Sequence, residues 1–189
     1  MNKNTITAIV ALVAIVTFAF YYFQYTVKEN VPGENSLRLA NKHLEDGNIE
    51  DALAEFQKTI SINPDYKSAH LGLAIAFMQL NQLDEAQKAF DRAIIIDESF
   101  AEAYANRGIL NDRAGRFKDA VSDYRMAFQL KPELLDGPGY LWQFLHNVDE
   151  TPPTLLDRAD YIEKELTKPE GERLLNVPEL DAKQRMYKK

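Results

Sequence analysis

Glu85-Ala86-Gln87-Lys88-Ala89-Phe90-Asp91-Arg92-Ala93 decides the fold, because its residue types recur at one fixed distance on either side. Ala52, Ala86 and Ala120 stand 34 residues apart. Phe56, Phe90 and Tyr124 follow each alanine by four residues, Thr59, Ala93 and Ala127 by seven, and Pro64, Glu98 and Pro132 by twelve. Five residues before each alanine come Gly47, Asn81 and Gly115, types that tolerate the left-handed conformation in which many helices end. Columns that keep a common register in this way are an internal repeat.

The spacing has a physical reading. Each unit is two amphipathic helices around a tight turn, with the alanines where the helices cross and the aromatic ring between neighbouring hairpins. A proline after the second helix stops it, because the ring removes a backbone donor and clashes with the preceding turn. One hairpin cannot bury its own apolar face, whereas three stacked hairpins and a cap can.

These columns resemble the tetratricopeptide-repeat family, whose unit carries a bulky residue, Leu-Gly and Tyr in its first helix and Ala, Phe, Ala and Pro through its second. The second helix fits in all three units, 33–66, 67–100 and 101–134. The first departs: Leu-Gly reads Leu39-Ala40, Leu73-Ala74 and Arg107-Gly108, the tyrosine column reads His43, Phe77 and Asn111, and the bulky column reads Ser36, His70 and Tyr104. The resemblance implies an all-α fold, an α-solenoid of three helical hairpins with a C-terminal capping helix. It also implies a concave groove lined by the first helices, which binds a protein partner. Register from the alanines selects Leu37, Asn41 and Leu44, then Leu71, Ile75 and Met78, then Ala105, Ile109 and Asp112 as that groove. Family members that clamp an acidic C-terminal peptide place lysine, asparagine and arginine there. Here Leu37, Glu102 and Asn106 stand where the clamp needs cations, and only Asn41 matches. An apolar helix or extended segment is the expected ligand.

Outside the repeats, a short flank at 1–4 precedes residues 5–25, a stretch free of charge and mostly apolar, while about 20 helical residues span a bilayer core. Phe18, Phe20, Tyr21, Tyr22, Phe23 and Tyr25 crowd its C-terminal end, where amphipathic rings favour the headgroup region. A single transmembrane anchor contacting lipid is expected at 5–25, followed by a linker at 26–32. A cleaved signal peptide is the alternative, since Thr17 and Ala19 offer small residues for cleavage. Lys3 precedes the span and Lys28 beyond it is offset by Glu29 and Glu34. The N-terminus is therefore expected in the cytoplasm and the repeats outside it, in the periplasm of a Gram-negative cell.

Past Pro132 the period is lost. Residues 135–148, with Trp142 and Phe144, are expected to form the capping helix. Residues 149–189 form an extension: a proline-bearing linker, one amphipathic helix over about 154–167 with Leu155, Leu156, Ala159, Ile162 and Leu166 on its stripe, and an arm that Leu174, Leu175, Val177 and Leu180 could anchor. It ends in a basic tail with Lys183, Arg185, Lys188 and Lys189. The 154–167 helix is itself a candidate occupant of the groove, since its tether gives it a high effective concentration.

Composition narrows the function. Charge is −7, from 22 basic and 29 acidic residues, and no stretch interleaves basic with aromatic side chains, which disfavours nucleic acid. Cysteine is absent, removing thiolate catalysis and cysteine-based metal sites. His43, His70 and His146 form no metal-binding pair, and the first two occupy repeat-core columns. Glu50-Asp51 and Asp84-Glu85 recur where negative charge complements a helix dipole. No catalysis, cofactor, metal or small-molecule substrate is expected. The reading is a non-enzymatic scaffold or assembly factor tethered to a membrane, the alternative a permanent structural subunit of a membrane complex, whose helix could pack through Ala8, Ala11 and Ala14.

Overall fold

The computed structural model describes residues 3–26, 31–134 and 154–176, with the backbone alone at 3–10, 23–26 and 134. Helix α1 spans Lys3–Thr26. Three hairpins follow: α2 (Glu34–Asp46) with α3 (Ile49–Ile62), α4 (Lys67–Gln79) with α5 (Leu83–Ile96), and α6 (Ala101–Arg113) with α7 (Phe117–Leu130). Helix α8 covers Leu155–Leu166, and short 3-10 turns lie at Pro132–Leu134 and Glu170–Glu172. The described residues contain no strand.

Each hairpin turns in the same way. Gly47, Asn81 and Gly115 have φ of +80°, +57° and +72°. The next residues, Asn48, Gln82 and Arg116, donate their N–H to the carbonyls of His43, Phe77 and Asn111 at 2.8–2.9 Å, the six-to-one bond of a Schellman stop. The second helices end with Asn63 and Asp97 in extended backbone.

Alanine and aromatic columns then build the core. Ala52, Ala86 and Ala120, together with Phe56, Phe90 and Tyr124, are wholly buried, and burial of each ring stabilises by about 1.5–3 kcal/mol. A Cβ on Gly72 would lie 2.2 Å from the Phe56 ring, and one on Gly108 2.5 Å from that of Tyr124. Phe56 therefore fills the seam to the next hairpin, while Tyr124 fills the crossing within its own.

Helix α8 begins in a capping box, with Thr154 Oγ1 accepting from the Asp157 N–H at 3.1 Å and the Thr154 N–H donating to Asp157 Oδ2 at 2.8 Å. It buries Leu155, Ala159 and Ile162 and packs on α7 as α4 packs on α3 and α6 on α5. Among the described residues, then, the third hairpin is capped by α8. The cap expected at 135–148, with Trp142, Phe144 and His146, lies outside the described residues. So do Val177, Leu180 and the basic tail. Of the arm residues, Leu175 packs against the core and Leu174 is exposed. The Leu174 N–H donates to Glu165 at 2.8 Å, and its carbonyl accepts from Tyr161 Oη at 2.7 Å.

Among the described residues no helix is long and apolar enough to cross a membrane. In α1 the described side chains are those of 11–22, all exposed. The transmembrane anchor expected at 5–25 is therefore not found among the described residues.

Candidate protein-binding groove

The nine groove positions lie on the first helices of the three hairpins, and their environments differ along the array. On α2, Leu37 and Leu44 are buried while Asn41 is exposed. On α4, Leu71, Ile75 and Met78 are all buried, and on α6 so are Ala105, Ile109 and Asp112. Helix α2 is an amphipathic edge with one wet face. Helices α4 and α6 are buried almost all the way round.

Asp112 shows how part of this burial arises. Arg158 of α8 grips it with two parallel bonds, Nε to Oδ2 and Nη2 to Oδ1, both 2.8 Å, and the pair is 5% and 3% exposed. Tyr124 Oη donates to the same carboxylate at 3.3 Å. Arg158 Nη2 also donates to the Leu175 carbonyl at 2.9 Å. One guanidinium thus joins the third hairpin, the cap and the C-terminal arm, and a two-pronged arginine–carboxylate pair fixes orientation as well as position. Asp112, selected as a groove residue, serves here as an internal anchor.

A second polar cluster explains why the first-helix pattern fails in the third unit. Arg107 Nε and Nη2 donate to Asp123 at 2.9 and 2.6 Å, Arg107 Nη1 to Asp91 at 2.7 Å, and Asn111 Nδ2 to Asp123 at 2.9 Å. Arg116 Nε donates to Asn111 Oδ1 at 2.7 Å and Nη2 to Gln87 at 2.9 Å. The departures from Leu and Tyr at 107 and 111 are answered by Asp123, so this corner is polar by matched substitution. It lines an open recess of about 330 Å³. Burial pushes the Asp123 carboxyl up from its ordinary value, and Arg107 opposes that rise. The charges pair with one another across α5, α6 and α7, a tie between hairpins.

The two described histidines sit in the packing of the first helices. His70 is buried, with Nε2 2.8 Å from the Pro64 carbonyl, so Nε2 carries the proton and donates. Burial lowers its pKa below the ordinary imidazole value. His43 is half-buried. Among the described residues no group of side chains converges to hold a metal ion.

Sequence reasoning missed Arg158, Asp123 and Gly72. Asp123 had a signal, since two polar replacements in buried columns of one unit call for a polar answer nearby. The Thr154–Asp157 capping box was also readable. The pairing of Arg158 with Asp112 crosses 46 residues and no local spacing announces it.

Comparison with known proteins agrees with this geometry. The tetratricopeptide-repeat family model matches residues 43–106. A Dictyostelium discoideum DnaJ homolog subfamily C member 7 homolog is 29% identical over 104 residues, 53% of this chain and 19% of that protein. Hsp70-Hsp90 organizing protein 2 of Arabidopsis thaliana is 24% identical over 152 residues, 77% of this chain and 26% of its own length. The chain thus spans about a fifth to a quarter of these relatives. Among solved structures, the first tetratricopeptide domain of Spaghetti (RPAP3), bound to the HSP90 peptide SRMEEVD, superposes with a TM-score of 0.58 at 17% identity, over 72% of this chain and 94% of that one. The Arabidopsis OM64 tetratricopeptide domain gives 0.53 at 24% identity, over 54% and 84%. The hairpins α2–α7 thus share the fold of tetratricopeptide-repeat arrays, an all-helical solenoid.

Proposed function

We propose that this chain is a membrane-tethered scaffold or assembly factor, without catalysis, whose array holds a segment of another protein along the first helices. The observation that carries the reading is that seven of the nine groove positions, Leu37, Leu44, Leu71, Ile75, Met78, Ala105 and Ile109, are apolar across three hairpins, with Asn41 and Asp112 the polar exceptions. The relative bound to the peptide SRMEEVD takes an acidic partner. This chain sets Leu37, Glu102 and Asn106 at the positions where such a clamp has cations, and Glu102 pairs with Lys131 at 3.0 Å. An apolar helix or extended segment suits it better than an acidic terminus.

Support for the tether is the sequence alone, which is mostly apolar over 5–25 and carries no charge between Lys3 and Lys28. The charge balance around it favours a cytoplasmic N-terminus and an array outside the cytoplasm, periplasmic in a Gram-negative cell. Tethering confines the search to a surface and raises local concentration, which helps a weak groove. Alkaline extraction of membranes tests this part: the full chain stays with the membrane and residues 31–189 are released. Release of the full chain would overturn the tether. Co-purification in mild detergent then separates the two biological readings, a changing substoichiometric partner set for an assembly factor and a fixed stoichiometric one for a permanent subunit.

A further inference from the structure

The α6–α7 turn and the C-terminal arm line an open cleft of about 740 Å³, a size that takes a ligand. None of the nine groove positions lines it. Leu174, 66% exposed, stands on the lining with Phe117 and Leu166. The main chain that carries Leu174 is nonetheless fixed. Its N–H donates to Glu165 Oε2 at 2.8 Å, its carbonyl accepts from Tyr161 Oη at 2.7 Å, and the Leu175 carbonyl accepts from Arg158 Nη2 at 2.9 Å. The backbone is extended at Arg173, and among the described residues the Arg173 carbonyl and the Leu175 N–H have no partner. An extended stretch with an open carbonyl and an open N–H is an edge to which another strand can pair.

The charges on the lining point to the occupant. Arg116, Lys118 and Arg173 stand there against Asp119 and Glu170, a positive balance in a chain whose net charge is −7. Arg116 and Arg173 donate only to neutral oxygens, those of Asn111, Gln87 and the Lys168 main chain. Lys118 has no bonded partner among the described residues, and the exposed Arg113, just before the turn, adds a further cation. We propose that this cleft docks an extended segment of a second protein, in which carboxylates flank an apolar residue, laid along the 173–176 arm.

Contact with Leu174 anchors the segment, main-chain bonds to the Arg173 carbonyl and the Leu175 N–H set its course, and its carboxylates meet Lys118 and Arg173. Because α8 already orders the arm, binding does not have to immobilise it. The chain's own C-terminal sequence is a poor occupant, since Lys183, Arg185, Lys188 and Lys189 repeat the charge of the cleft. The site is separate from the first-helix groove, and the two differ measurably: ion pairs at an exposed surface are screened by salt, whereas apolar contacts are not.

A random-peptide display selection on the full chain in nanodiscs of neutral lipid, with binders to bare nanodiscs subtracted, tests the proposal. The enriched peptides should carry aspartate or glutamate on both sides of a leucine, isoleucine or phenylalanine. Synthesised singly, they should lose affinity several-fold on Lys118→Glu and on Leu174→Asp. Both side chains are exposed and make no hydrogen bond, so either variant should keep its helicity, which circular dichroism checks. Affinity should also fall several-fold from about 0.01 M to about 1 M sodium chloride, over which the screening length drops from about 30 to about 3 Å. Asn41→Glu, in the first-helix groove, should leave it unchanged. Enriched peptides without acids, no enrichment over bare nanodiscs, or affinity indifferent to Lys118→Glu would overturn the proposal. A peptide whose affinity falls on Asn41→Glu and not on Lys118→Glu sits in the first-helix groove, a result that removes this site and leaves the proposed function standing.

Discussion

Replacing Arg158 with methionine keeps most of the side-chain stem while removing the guanidinium that holds Asp112. Both partners are almost wholly buried, so the change leaves a carboxylate facing low-dielectric surroundings without its two-pronged partner, though Tyr124 Oη still donates to it at 3.3 Å. Breaking a buried pair from one side costs about 3–5 kcal/mol, whereas an exposed pair is worth about 0–1 kcal/mol. The Arg125–Glu163 pair, 36% and 48% exposed and also joining α7 to α8, is the internal comparison. In urea unfolding of residues 31–189, Arg158→Met should lose several times what Glu163→Gln loses, or roughly 6–20 °C of melting temperature for a chain of this size. Hydrogen exchange should show the loss first in α8 and the 173–176 arm, since repeat arrays open locally. Adding Asp112→Leu to Arg158→Met should recover much of the stability, because a buried pair replaced on both sides is often near neutral. If Arg158→Met costs no more than Glu163→Gln, α8 is not clipped to the third hairpin and its role as cap is wrong.

Gly72→Ala should destabilise by about 1–3 kcal/mol through overpacking, despite alanine's helix advantage, because its Cβ would meet the Phe56 ring at 2.2 Å; in a Phe56→Leu background the same change should become nearly neutral by thermal melting. His70 predicts a pH dependence. Its folded pKa lies below the unfolded value of about 6.5, so its contribution is present above that value and is lost as pH falls through the lowered one. Melting temperature between pH 7 and pH 5 should drop more steeply in wild type than in His70→Phe, and equal slopes would refute the assignment.

The hairpins were legible because their determinants are periodic. The alanine, aromatic and glycine–asparagine columns each act within one unit or across one seam, and a 34-residue period exposes them. Positive φ at Gly47, Asn81 and Gly115 is the physical reason for that column. The surroundings of the candidate groove were less legible. Period alone placed Asp112 on the concave side, but its tie to Arg158 depends on how a segment beyond the repeats folds back, which no spacing encodes. Likewise Arg107 and Asn111 read as defects in the first helix until Asp123 supplied their partner. Position 72 could not be recognised as crowded, because the ring that crowds it comes from the preceding unit.

Photocrosslinking in native membranes tests the central claim most directly. Asn41 is the one groove position left exposed, at the open end of the apolar line, and Ile95 is 69% exposed on the outer face of α5. A photoreactive phenylalanine analogue at Asn41 should crosslink a discrete protein, lost on Leu37→Glu, while the same analogue at Ile95 should not. Crosslinking of one protein from Ile95 but none from Asn41 would contradict the account and make the outer face the working surface.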